Sequence, residues 1–124
     1  MAKSKLGDTA LGQSQVYDAA ELIMVCSNTS RSLCKYGKRG RDFYSIVYGV
    51  FASMLMLLTQ VSQGIGACFV GTFEDEKVSK ILNLPKQLKP IGIITLGYPA
   101  EKPGRFERID LTKQVYCERY GNSS

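Results

Sequence analysis

Residues 64–103, GIGACFVGTFEDEKVSKILNLPKQLKPIGIITLGYPAEKP, carry the pattern that decides the fold. Gly64-Ile65-Gly66 ends whatever helix precedes it, because glycine tolerates the left-handed geometry of a helix C-cap and permits close backbone approach. Ala67 to Val70 then reads as a short strand. From Thr72 to Leu82 the chain has a helical start, with Glu74, Asp75 and Glu76 where the helix dipole favours negative charge, and Leu84-Pro85 stops it. Lys89-Pro90 precedes IGIITLG, residues 91–97, a β-branched run suited to a buried strand. Beyond Tyr98-Pro99 the chain turns polar and basic, Pro103-Gly104 marks a turn, and residues 102–124 are expected to form an extended basic C-terminal tail over the surface.

Upstream, Phe43, Ile46, Val47, Val50, Phe51, Met54, Leu55, Leu57, Leu58 and Val61 recur at steps of three and four, which predicts a long helix from Phe43 to Gln63, apolar on most sides. No charged residue falls between Asp42 and Glu74, so a membrane span over residues 43–61, flanked by the basic Lys35 to Arg41 segment, is one reading. Ser45, Ser53, Thr59, Gln60, Ser62 and Gln63 interrupt the stretch. A helix in a subunit core or interface accounts for the same residues without a membrane. Its apolar surface exceeds what one small domain covers, so residues 43–63 are expected to form a homodimer interface. Asn28 to Arg41, with Gly37 and Gly40 among polar and charged residues, reads as loop, and Glu21 to Ser27 as a buried strand. Ala2 to Gln15 is expected to hold a short helix containing Leu6, Ala10 and Leu11.

The 124 residues make one domain, 44% hydrophobic and 22% charged, an ordinary globular balance that excludes wholesale disorder. The net charge of +5 invites a nucleic-acid reading, but carboxylates separate most of the basic residues and no finger, helix-turn-helix or RNA-recognition pattern accompanies them. Nucleic acid is therefore not an expected partner, while an anionic small molecule stays open. Histidine is absent, which removes imidazole acid–base chemistry, Cys/His zinc sites and Ser-His or Cys-His nucleophiles together. No metal site is expected. Cys26 and Cys68 lie in apolar runs and read as core packing, whereas Cys34 and Cys117 lie among polar residues. Without a CxxC pair or a signal peptide, a reducing cytoplasm is the expected location.

The ordered set in residues 64–103 resembles the C-terminal signature of the nitroreductase family: a Gly-x-Gly turn after a long helix, a short strand, a Gly-x-Phe-acidic turn, a helix ending in Leu-x-Leu-Pro, then an apolar strand and Gly-Tyr-Pro. LGQS at Leu11 to Ser14, Tyr36-Gly37 with Arg39-Gly40, and Glu118-Arg119-Tyr120-Gly121 are similar to segments of one branch of that family. The resemblance implies an α+β nitroreductase-like fold with a short mixed sheet, truncated at its N-terminus, a homodimer built on the long helix, and FMN at the dimer interface. It further implies electron transfer from NAD(P)H through FMN to nitro compounds, quinones or similar acceptors.

Val70-Gly71-Thr72 matches the family's loop whose main chain lies against the isoalloxazine, and Arg105 and Arg108 fall where a basic residue reaches the FMN phosphate, with Lys102 a lesser candidate. Guanidinium suits phosphate through paired hydrogen bonds. No side chain stands out as a catalytic acid or base, as hydride transfer allows, since the cofactor supplies the chemistry. Two departures accompany the match. The family's N-terminal arginine-rich phosphate segment has no counterpart before Leu6, so the chain reads as a split subunit completed by a partner chain, a truncated product, or a relic that no longer turns over. Val47, Ser53 and Met54 stand where an acidic residue and a Gln-Asn pair are common. The alternative is a non-catalytic dimeric interaction protein that has lost its cofactor site.

Overall fold

The computed structural model describes residues 2–122. In chain order it contains α1 (Ala2–Thr9), α2 (Ser14–Asp18), β1 (Glu21–Asn28), α3 (Thr29–Arg39), a π-helical turn (Gly40–Tyr44), α4 (Ser45–Ser62), β2 (Gly66–Val70), α5 (Asp75–Ile81), β3 (Leu88–Gly97) and a 3-10 turn (Leu111–Lys113). The last strand inserts between the first two, giving the order β1-β3-β2. Both pairings are antiparallel, so the sheet expected to be mixed is antiparallel throughout the described residues.

β3 is central, and that explains its composition. Ile93 and Ile94 point to opposite faces and both are fully buried. On the Ile93 face, Ala10, Val16 and Val70 close a core, with Leu22, Met24 and Phe73 packed around it. The amide of Glu74 donates to the Thr9 carbonyl at 3.1 Å, tying the start of α5 to the end of α1. The front helix is shorter than expected: it ends at Thr9, and Leu11 is exposed with φ at +56°.

The opposite face carries α4, and its contact is made by small residues. Ser45 and Ser53 are buried, each hydroxyl satisfied by the carbonyl four residues earlier, Arg41 at 2.7 Å and Gly49 at 2.8 Å. Gly49 lies against Ile91, whose flexible Cδ1 end fills the space a Cβ would take. The large residues therefore point away from the sheet. Val50, Phe51, Met54, Leu55, Leu58 and Val61 are all exposed. Length and composition would let the Thr29–Ser62 segment cross a membrane. Sheet backbone lying along one side of α4 argues against that, since open strand edges are not tolerated in hydrocarbon.

Two expectations are corrected here. Asn28 to Arg41 is helical and not loop: the Asn28 side chain caps α3 by accepting from the Arg31 amide, and helical geometry breaks only at Gly37, with φ at +61°. The chain bends there, and Gly40 seats against the Ser32 backbone. Cys68 is exposed on the edge strand β2 and does not pack in the core, and Cys26 is only partly buried. Desolvation pushes the Cys26 thiol above its ordinary range.

Candidate functional site

Val70, Gly71 and Thr72 form the exit from β2 towards α5. The Val70 side chain is buried, so this residue offers a ligand its main chain only. Sheet pairing stops at Val70↔Ile93. Gly71 and Thr72 are exposed, and no backbone hydrogen bond outside the helices and strands uses either of them among the described residues. Core contacts hold both ends of this short loop, Val70 on one side and Phe73 on the other. The result is a held stretch of free amide and carbonyl groups. Beside it, the Phe69 ring covers Gly92, and it lies 3.3 Å from where a Gly71 Cβ would stand. A side chain at residue 71 would meet that ring.

Arg105 and Arg108 lie in the exposed tail, as does Lys102. Neither arginine has a carboxylate at salt-bridge distance among the described residues. Arg108 lines a shallow hollow with Glu107 and Asp110. The Thr112 hydroxyl and amide, at 2.7 and 2.9 Å, hold the Asp110 carboxyl below the usual carboxylate range.

The tail leaves the sheet at Gly97, which pairs with Gly66, while the loop leaves at Val70. Four residue steps along the strand separate the two points, roughly 13 Å. No hydrogen bond joins Arg105 or Arg108 to Val70–Thr72 among the described residues, although seven extended residues from Tyr98 reach about 23 Å.

A cluster of cationic and aromatic side chains spans the segment read as loop and the start of the long helix. At the bend between α3 and α4, the Arg39 guanidinium lies over the rings of Phe43 (4.8 Å) and Tyr44 (5.5 Å), and Lys35 lies over Tyr36 (5.2 Å). Tyr36 meets Tyr44 edge-on at 5.5 Å. Lys35, then the Tyr48 hydroxyl, hold the Tyr36 phenol below its ordinary range, and Tyr48 is raised in turn by its bond to Tyr36. A signal existed: Ser32, Tyr36, Gly40, Tyr44 and Tyr48 recur every fourth residue, and Asn28 is a good N-cap.

The class follows from the architecture. The NADPH:FMN oxidoreductase from Vibrio harveyi, solved in complex with NAD+, superimposes with a TM-score of 0.87 over 99% of this chain and 56% of its own, at 21% identity, a likeness of fold. A sequence model of the nitroreductase family matches residues 2–98, and the chain belongs to that family. An oxygen-insensitive NADPH nitroreductase of Salmonella typhimurium is 29% identical over 117 residues, 88% of this chain and 48% of the relative. An FMN reductase (NADPH) of Bacillus subtilis is 29% identical over 80 residues, 63% of this chain and 32% of that protein. The chain thus spans half or less of the length of these curated relatives.

Proposed function

We propose that this chain contributes one wall of an FMN-dependent oxidoreductase that takes electrons from NAD(P)H and delivers them to nitro compounds, quinones or similar acceptors. The observation that carries the reading is the match to an NADPH nitroreductase along 88% of the chain. The residues fit the cofactor. A flavin needs main-chain donors and acceptors along its polar edge, and Gly71 and Thr72 offer such groups unpaired. Its phosphate needs cations, and Arg105 and Arg108 have none of their charge taken by carboxylates among the described residues. Bound there, FMN would supply two-electron transfer. The chain's own part is to present the Gly71 backbone, to keep side chains clear of the ring, and to hold the phosphate through the tail.

The assembly in this reading is a homodimer through residues 43–63. The large apolar side chains of α4 face away from their own sheet, a surface that a second copy covers by two-fold symmetry. The rest of the cofactor site, including its other phosphate ligands, comes from the part of the family's length not represented in these 124 residues. The domain is accordingly one partial nitroreductase-like unit, residues 1–124, with residues 102–124 as its tail.

FMN titration followed by flavin fluorescence tests this, with the chain alone and with a supplied N-terminal half of a family member. Quenching that appears or strengthens with the supplied half supports the flavin role. No binding in either arm rejects it and favours the non-catalytic reading, to which Val47, Ser53 and Met54 on the long helix already lend weight.

A further inference from the structure

We infer that Phe69 is a positioning residue: its ring, seated on Gly92, holds the Gly71–Thr72 backbone in the arrangement that the flavin meets, an inference that rests on the flavin reading above. Strand alternation sends Phe69 and Val70 to opposite faces of the sheet. Val70 enters the core beside Ile93 and so anchors the loop from one face only. Phe69 stands opposite Ile94 in the ladder, and Gly92 is its diagonal neighbour on that same face, within reach of an aromatic side chain. The ring takes that diagonal. A Cβ on Gly92 would run into Cε2 and Cζ of Phe69, with Cδ2 standing 3.1 Å away, so the ring occupies the space that a side chain there would need. The other edge of the same ring faces the loop, with Cε1 3.3 Å and Cδ1 3.9 Å from where a Gly71 Cβ would stand. One ring thus bridges the central strand and the loop just where β2 stops pairing, at Val70↔Ile93.

The loop needs such a contact. Gly71 and Thr72 make no backbone hydrogen bond outside the helices and strands among the described residues, and a glycine backbone is the freest of all. Val70 and Phe73 fix the two ends in the core, which leaves the residues between them unrestrained from that side. A ligand that requires their amides and carbonyls in one arrangement bears the cost of ordering them, unless the protein has already done so. The Phe69 ring stands on the face that the core anchors do not cover and bars Gly71 from folding over Gly92. Covering a strand glycine is a packing role that an aromatic ring commonly fills. Core packing does not account for the rest: the residue is 37% exposed, and its loop-side edge lies beside Gly71.

The experiment has an arm without flavin and an arm with it. Backbone nitrogen relaxation on the full chain, free of FMN, reads the order parameters of the Gly71 and Thr72 amides. In the parent they should lie near the rigid value of about 0.85, and in Phe69→Ala they should fall below about 0.6, with the amides of β3 unchanged. Gly92→Ala displaces the ring while leaving it in the chain and should lower the same two amides, which keeps the test alive if Phe69→Ala does not fold. In the second arm, FMN is titrated in the presence of the supplied N-terminal half. Either substitution should weaken FMN by about tenfold, the cost of ordering one backbone residue. The double variant should be no worse than Phe69→Ala, because without the ring a Cβ on Gly92 displaces nothing. Unchanged order parameters in both single variants, or additive losses in the double, overturn the positioning role whether or not FMN binds. No FMN binding by the parent in the second arm rejects the flavin reading instead, and the relaxation arm still decides whether the ring holds the loop.

Discussion

Replacing Gly40 with alanine should destabilise the protein by about 2 kcal/mol, and the reason is steric. Gly40 has ordinary right-handed helical geometry, φ −61° and ψ −47°, so no left-handed strain is involved. Helix propensity alone favours alanine there by about 1 kcal/mol. Against this, the added Cβ would meet the Ser32 carbonyl oxygen and lie 2.6 Å from Tyr36 Cβ and 2.9 Å from the Ser32 carbonyl carbon. These are backbone atoms and a Cβ, which no rotamer change can move. Restoring ordinary contact requires the two arms of the bend to separate by about 1 Å, which forfeits a quarter to a half of each lost contact. Overpacking of this kind costs up to about 3 kcal/mol, leaving a net loss near 2. For a chain of this size that lowers Tm by roughly 6–10 °C. Urea and thermal unfolding measure it, with Gly49→Ala as the control. There the clashing atom is Ile91 Cδ1, the free end of a side chain that can turn away, so the change should be near neutral. A Gly40→Ala protein as stable as the parent, or a control that is equally damaged, would refute the argument.

Phe51→Asp with Leu58→Asp places charges on the outward ridge of α4, where both side chains are at least 60% exposed. The double variant should sediment as a folded monomer where the parent sediments as a dimer, and a parent already monomeric sinks the interface. At the flavin loop, Gly71→Val should prevent FMN binding by filling the space beside Phe69, and Arg108→Ala should weaken it by about tenfold, the effect of one charge-assisted hydrogen bond. Full FMN affinity in Gly71→Val would contradict the placement of the ring. Cys26 should be the last of the four thiols to alkylate, since burial raises its pKa while Cys34, Cys68 and Cys117 are exposed. The same shift sets a pH dependence. The unfolded thiol ionises first, so this contribution to stability is whole below the ordinary thiol pKa and is lost as pH rises through the folded one. Cys26→Ala should flatten that alkaline decline in urea midpoints.

Local chemistry made much of this molecule legible without coordinates. The run at residues 91–97 is β-branched because a central strand is buried on both faces, and the structure puts it between β1 and β2. The acidic turn before α5 and the glycines after α4 are backbone requirements, readable wherever they occur. Family membership was legible for the same reason, being carried by turns and caps in a fixed order. Cys68 was misread because an apolar run says a strand is present but not whether it lies at the edge of a sheet, which depends on what pairs with it. Asn28 to Arg41 was misread as loop because glycine and charge are local signals of irregular chain, whereas this helix is held by contacts made across a bend, Gly40 on Ser32 and Tyr36 on Tyr44. The periodicity of α4 established a helix that is apolar nearly all round and could not say which side met the sheet. Tertiary packing decided that: the sheet accepts Ser45, Gly49 and Ser53 because close approach of helix to strands demands small residues. The bulky side chains are therefore left pointing outward.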